Sequence, residues 1–115
     1  MAANPVVPTP ELQINTEKRA EETMVRGTGR ITSETSDLLQ RTIRALIPGN
    51  TRIVLDLTEV NYIDSSGLGA LVSVYLAARR AQCVLELANP QARIRDLFEL
   101  SKLKAVFESG GGYRE

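Results

Sequence analysis

The chain has no histidine, no tryptophan and a single cysteine among its 115 residues. Without histidine, the commonest general base and the commonest transition-metal ligand are both missing. Ser-His-Asp catalysis is excluded outright, and so is any zinc site that needs an imidazole. The lone Cys83 cannot close an internal disulfide, which fits a reducing compartment. It falls in a predicted strand and reads as a small buried hydrophobe. Fourteen basic side chains balance fourteen acidic ones, so no excess of one sign argues for nucleic acid or an anionic membrane. No apolar run approaches the roughly 20 residues of a membrane span. The N-terminus lacks the basic-then-apolar pattern of a signal peptide. The expectation is a cytoplasmic protein with no cofactor, no metal, no nucleic-acid partner and no membrane insertion.

What is present is the composition of an ordinary globule, 43% hydrophobic and 24% charged, long enough for one core without staples. Pro5, Pro8 and Pro10 mark residues 1–10 as a flexible arm. Leu12 to Ile14 reads as an edge strand, Glu17 to Glu22 as a turn, and Thr23 to Arg30 as the hairpin partner. Gly27 and Gly29 suggest a bulge or a close backbone approach. Thr32 or Ser33 is placed to cap a helix running to Ile47, with Leu39, Ile43, Leu46 and Ile47 at helical spacing. Pro48-Gly49-Asn50 stops it.

Ile53 to Leu57 is a buried strand, and Glu59 to Ile63 reads as a short turn. A helix from Ser66 to Ala81 follows, with a stripe through Leu68, Leu71, Val72, Tyr75, Leu76 and Arg79. Arg79-Arg80 suits a helix end facing its own dipole. Cys83 to Leu87 is the next strand. Asn89-Pro90 has the form of an N-cap followed by proline at the first helical position, and Ile94, Leu97 and Phe98 give that helix an inner face. Leu103, Val106 and Phe107 suggest a last short strand, and Gly110-Gly111-Gly112 opens a flexible tail over 110–115. The expected fold is α/β: a mixed sheet of four to five strands, a β-hairpin plus parallel βαβ units, with helices packed on it.

The most informative stretch is Asp64-Ser65-Ser66-Gly67-Leu68-Gly69, which leads from strand to helix. It delivers two hydroxyls to a place with free N–H groups and the positive end of a helix dipole, where a phosphate is tolerated. Ser65 reads as the structural cap. Ser66 reads as either an unmodified cap or first-turn serine, or a switch, and Asp64 as an acceptor for backbone N–H groups or a group that orients the Ser66 hydroxyl. Gly67 and Gly69 lack the further glycine and the lysine of a nucleotide loop, so close loop-to-helix packing accounts for them. Asp56, Glu59 and Asp64 could be imagined around magnesium, but three acids in nine positions are ordinary.

This loop, with its strand and helix and the downstream Leu87-Ala88-Asn89-Pro90 and Arg93-Ile94-Arg95-Asp96-Leu97-Phe98, resembles STAS domains. The bacterial anti-sigma factor antagonists are the branch it is most similar to. The resemblance covers residues 12–108, within a domain taken as 11–109. It implies a non-catalytic binding module whose Ser66 is phosphorylated by an anti-sigma factor that is also a serine kinase, and restored by a PP2C-type phosphatase. Asp64, Ser65 and Gly67 complete the phosphorylation loop. Arg30, Thr32, Ser33 and Leu68 are expected at the partner surface, although Leu68 also belongs to the inner stripe. The family often has Gly-x-Leu-Asp where this chain has Gly29-Arg30-Ile31-Thr32, so Thr32 implies a different polar contact. The family's closing helix is read as missing or very short. Two other readings are an unswitched STAS subunit of a lipid-transport or stress-signalling complex, and an enzyme with Ser66 as nucleophile, which the lack of histidine disfavours.

Overall fold

The computed structural model describes residues 11–114, so the arm expected over 1–10 lies outside the described residues. Five strands form one sheet in the order β1-β2-β3-β4-β5: β1 (Leu12–Arg19), β2 (Glu22–Ile31), β3 (Arg52–Ile63), β4 (Val84–Ala88) and β5 (Tyr113–Arg114). The helices between them are α1 (Ser36–Leu46), α2 (Ser65–Arg80), α3 (Ala92–Leu100) and α4 (Leu103–Ser109). β1 and β2 pair antiparallel, while β2 to β5 run parallel. This is the mixed α/β sheet that the sequence implied.

The strand order decides where the helices go. Each parallel strand is added on the same side of the one before, and right-handed crossovers then put every connecting helix on one face. Ile53, Leu55, Leu57 and Val60 of β3 and Leu85 and Leu87 of β4 accordingly share one core with Leu39 and Ile43 of α1, Leu71 and Val74 of α2, and Phe98 and Phe107 beyond. The other face carries charges. Glu86, whose side chain is only 3% exposed, is bracketed by Arg52 and Arg114, and the Arg26 guanidinium lies 3.4 Å from Asp56.

Asp56 is 6% exposed. Its carboxylate accepts hydrogen bonds from the Thr58 N–H at 3.0 Å and the Thr58 hydroxyl at 2.6 Å. Burial pushes this carboxyl up. The bonds from Thr58, from the Asn89 amide and from Arg26 outweigh that effect, so its pKa lies below the ordinary aspartate value. A depressed pKa contributes stability that is present above the unfolded value, about 3.9, and lost as pH falls through the folded one. Urea midpoints measured from pH 6 to pH 2.5 should fall below about pH 4, and less steeply in Asp56→Asn. Equal acid sensitivity in both proteins would remove Asp56 from this account.

Several elements differ from the sequence reading, each for a physical reason. β1 runs to Arg19 and the turn shrinks to Ala20-Glu21, because backbone pairing with β2 holds residues 15–19 although their side chains are exposed. β3 continues to Ile63 through the stretch read as a turn. Its register against β2 shifts between Arg26 and Thr28 and again between Gly29 and Arg30, so each bulge disrupts the alternation that announces a strand. The glycines expected to mark a bulge do stand there. At Gly29, with φ +121°, a Cβ would lie 2.1 Å from the Glu11 carbonyl oxygen.

α1 begins at Ser36, because residues 32–35 form a tight turn of their own. Asn89 does not cap α3. It takes a left-handed φ of 57°, its N–H donates to the Arg114 carbonyl, and Gln91 becomes the N-cap. Leu103, Val106 and Phe107 lie on a helix and not on a strand, which their spacing of three and four already favoured, and the closing helix is therefore present but short, as the seven-residue α4. Within the stretch expected as a tail, Tyr113–Arg114 instead form β5, with the Leu87 N–H donating to the Gly112 carbonyl at 2.8 Å.

In α2 the buried stripe is Gly67, Ala70, Leu71, Val74, Tyr75 and Ala78. It has the predicted period but is rotated from the predicted side chains. Small residues let the helix approach closely, so Leu68 and Val72 sit half-buried at its flanks and Leu76 is 39% exposed. Four of the five aromatic residues stack edge to face: Tyr75 on Phe107, Phe107 on Phe98, and Phe98 on Tyr113, with centroids 5.1, 5.5 and 5.9 Å apart. Cys83 is buried, as expected, and burial pushes its thiol up, away from the reactive thiolate.

Candidate functional site

β2 and β3 end side by side, with Ile31 opposite Ile63. The next residues of both strands therefore emerge together. From β3 comes Asp64, the N-cap of α2 with extended backbone. Its Oδ1 accepts the Gly67 N–H at 2.8 Å, the ordinary work of a capping carboxylate. Its Oδ2 accepts the Ser33 N–H at 3.3 Å, and its own N–H donates to the Ile31 carbonyl at 3.2 Å. Asp64 thus clamps the turn after β2 to the start of α2. The structural cap is Asp64, not Ser65 as the sequence suggested, because the side chain one residue earlier reaches the third N–H of the helix.

Gly67 makes the clamp possible. A Cβ there would lie 2.1 Å from the Ile31 carbonyl oxygen and 2.9 Å from Ile63 Cγ2. Close packing was the expectation for Gly67 and Gly69 alike, and it holds for the first only. Gly69 is exposed, and a Cβ there would meet no atom within 4 Å.

With these groups fixed, Ser65 and Ser66 occupy the first turn of α2 with both side chains exposed. Their N–H groups have no acceptor among the described residues. The place offers two hydroxyls, two free donors and the positive end of a 16-residue helix. Geometry favours neither hydroxyl over the other.

The turn over residues 32–35 is held from within. The Thr35 hydroxyl accepts from the Thr32 N–H at 2.8 Å and donates to the Arg30 carbonyl at 2.8 Å, while the Thr32 hydroxyl accepts from the Glu34 N–H at 3.2 Å. Thr32 is 6% exposed. It shapes this surface without presenting a contact, because its hydroxyl is spent on the turn, whereas Ser33 and Glu34 are exposed. Arg30 is exposed and stacks on Tyr62, its guanidinium carbon 4.6 Å from the ring centroid. Leu68, expected at the partner surface, packs against the core.

Sequence reasoning passed over Tyr62, since it placed residues 59–63 in a turn. The ring also borders an open groove of about 530 Å³ between the end of β3 and α3, walled by Ile63, Ile94, Leu97 and Leu100. Leu100 is 82% exposed. No local signal in the sequence marks Tyr62, because its place beside Arg30 follows from the register of β2 against β3 after two bulges. Asp56, Glu59 and Asp64 are not among any cluster of potential metal ligands in the described residues.

The chain belongs to the STAS domain family, whose family model matches residues 13–112. BtrV of Bordetella bronchiseptica, assigned as an anti-sigma factor antagonist, is 31% identical over 80 residues, 69% of each chain. The anti-sigma-B factor antagonist of Listeria monocytogenes is 41% identical over 54 residues, 47% of each, so the match spans about half the length of that relative. The fold superposes on the anti-sigma factor antagonist SpoIIAA in its unphosphorylated form with a TM-score of 0.71 at 19% identity, covering 90% of this chain and 88% of that one. For the phosphorylated form of SpoIIAA the TM-score is 0.67 at 20% identity, covering 90% and 91%. No helix among the described residues is long and apolar enough to cross a membrane.

Proposed function

We propose that this chain is a cytoplasmic anti-sigma factor antagonist, a binding module switched by phosphorylation at Ser66. The kinase is its own partner, the anti-sigma factor, and a PP2C-type phosphatase reverses the mark. The observation that carries the reading is the Asp64 clamp. It holds two exposed hydroxyls at a rigid helix end and ties that end to the turn bearing Ser33.

Phosphorylation adds about 1.5 to 2 negative charges and three acceptor oxygens. The free N–H groups of the first turn accommodate them without refolding the domain. The new charge also stands beside the Asp64 carboxylate. Repulsion there acts on the group that holds the Ser33 N–H, so one modification alters both halves of the surface. A change of about 1.4 kcal/mol is already tenfold in affinity, so a local charge on an unchanged fold suffices.

The test uses a purified kinase-type anti-sigma factor from the same organism, with ATP and magnesium. Intact mass should show one added phosphate on the wild type and none on Ser66→Ala. Ser66→Ala should bind the unmodified partner as the wild type does. Ser66→Asp should bind at least about tenfold more weakly, and the phosphoprotein more weakly still, because one carboxylate carries less charge than phosphate. Ser65→Ala is the control for the neighbouring hydroxyl. Phosphate mapped to Ser65, with Ser66→Ala still switchable, would refute Ser66 as the acceptor. Equal affinity of all forms would refute the switch.

A further inference from the structure

We infer that the open groove between the end of β3 and α3 is a self-association surface, and that its occupant is a second copy of this chain related by a two-fold axis. The inference does not rest on the switch proposed above. It starts from an unpaired strand edge. β4 leaves β3 after the pair Asp56 and Ala88, while β3 runs on to Ile63. From Leu57 onward, the edge of β3 away from β2 has no strand beside it among the described residues. The Thr58 carbonyl accepts from the Gln91 side-chain amide at 2.9 Å. Beyond it, this edge makes no backbone hydrogen bond to any described residue, and Glu59, Asn61 and Tyr62 are exposed.

An uncovered edge of this kind is a surface on which another strand can pair, and proteins usually block it with charge, proline or short length. The other two edges of the sheet are blocked in that way. β1 carries exposed Glu17, Lys18 and Arg19, and β5 has only two residues. The free stretch of β3, residues 57–63, has no lysine, arginine or proline.

Alongside this edge runs one stripe of α3. Arg93, Asp96, Leu97 and Leu100 fall at i, i+3, i+4 and i+7, and all four line the groove with Tyr62 and Ile63. Leu100 is 82% exposed and Tyr62 40%. Arg93 and Asp96 stand one turn apart, yet neither forms an ion pair with the other or with any described residue.

These features choose the occupant. A two-fold partner presents the same patch, so the patch must complement itself. It carries one unmet cation, one unmet anion, a protruding leucine and an apolar groove. An axis that runs the two α3 stripes antiparallel brings each Arg93 toward the partner's Asp96, and each Leu100 toward the partner's groove. The same axis sets the two free β3 edges antiparallel, the orientation in which they can pair. A partner charged with one sign would leave Arg93 or Asp96 unmet.

Sedimentation velocity on the full chain, from low micromolar to near-millimolar concentration, should show a reversible monomer–dimer equilibrium. Leu100→Asp should raise the dissociation constant at least about tenfold and leave the circular dichroism and melting temperature of the monomer unchanged. Arg93→Asp and Asp96→Arg should each weaken the dimer, because each sets like charges opposite one another, and the double variant should restore it. Amide exchange at residues 61–63 should slow as the dimer forms. A chain that stays monomeric throughout would overturn the inference. So would a dimer indifferent to Leu100→Asp, or a double variant no better than either single one.

Discussion

Gly67→Ala should cost about 3 kcal/mol or more and should disable the candidate site in whatever protein remains folded. The added carbon would stand 2.1 Å from a backbone oxygen, not from the end of a flexible side chain, so no rotamer change relieves the contact. Either α2 lifts from the end of β2 or Ile31 moves, and both break the geometry in which one carboxylate holds Gly67 and Ser33. Chemical denaturation gives the stability, and partner affinity measured well below the melting temperature gives the site. A stability near wild type would mean that the two elements approach less closely than described. Normal affinity in a destabilised variant would separate the clamp from binding.

Phe98→Ala should cost about 3–5 kcal/mol with the opposite functional profile. Phe98 is fully buried and packs against both Phe107 and Tyr113. The cavity it leaves would loosen α4 and β5 together from the edge of the sheet. Domains of this size are stable by only about 5–15 kcal/mol, so the variant should melt on the order of 15 °C lower. The clamp at Asp64 belongs to β2, β3 and α2, so partner affinity in the cold should survive. Loss of binding by a still-folded Phe98→Ala would show that the C-terminal elements take part in recognition.

The two variants mark the boundary between what was legible in the residues and what was not. The αβ alternation, the hairpin at the start and the loop at Asp64 to Gly69 could all be read directly. Each rests on local signals: periods of two and 3.6, a strong stop at Pro48-Gly49, and hydroxyls at a helix start. Gly67 read correctly as a packing residue. Its neighbour Gly69 was given the same reading, and only the position of Ile31 tells the two apart, because one faces a backbone carbonyl and the other open space. Strand β3 escaped for a comparable reason, its second half being held by pairing across two bulges that disrupt its own alternation.

The sequence by itself determined the fold class, the lack of histidine chemistry, and the stretch proposed as the functional site. These depend on residue types and spacings along the chain. Tertiary structure decided that Asp64, not Ser65, caps α2, that Thr32 turns inward, that Tyr62 lies under Arg30, and that Gly110–Gly112 leads into a fifth strand. Those outcomes depend on which elements end beside one another. Ile31 and Ile63 are 32 positions apart in the chain and direct neighbours in the sheet, and no local propensity carries that information. The site exists because the parallel register brings both strand ends to the same edge, where a single carboxylate can reach both.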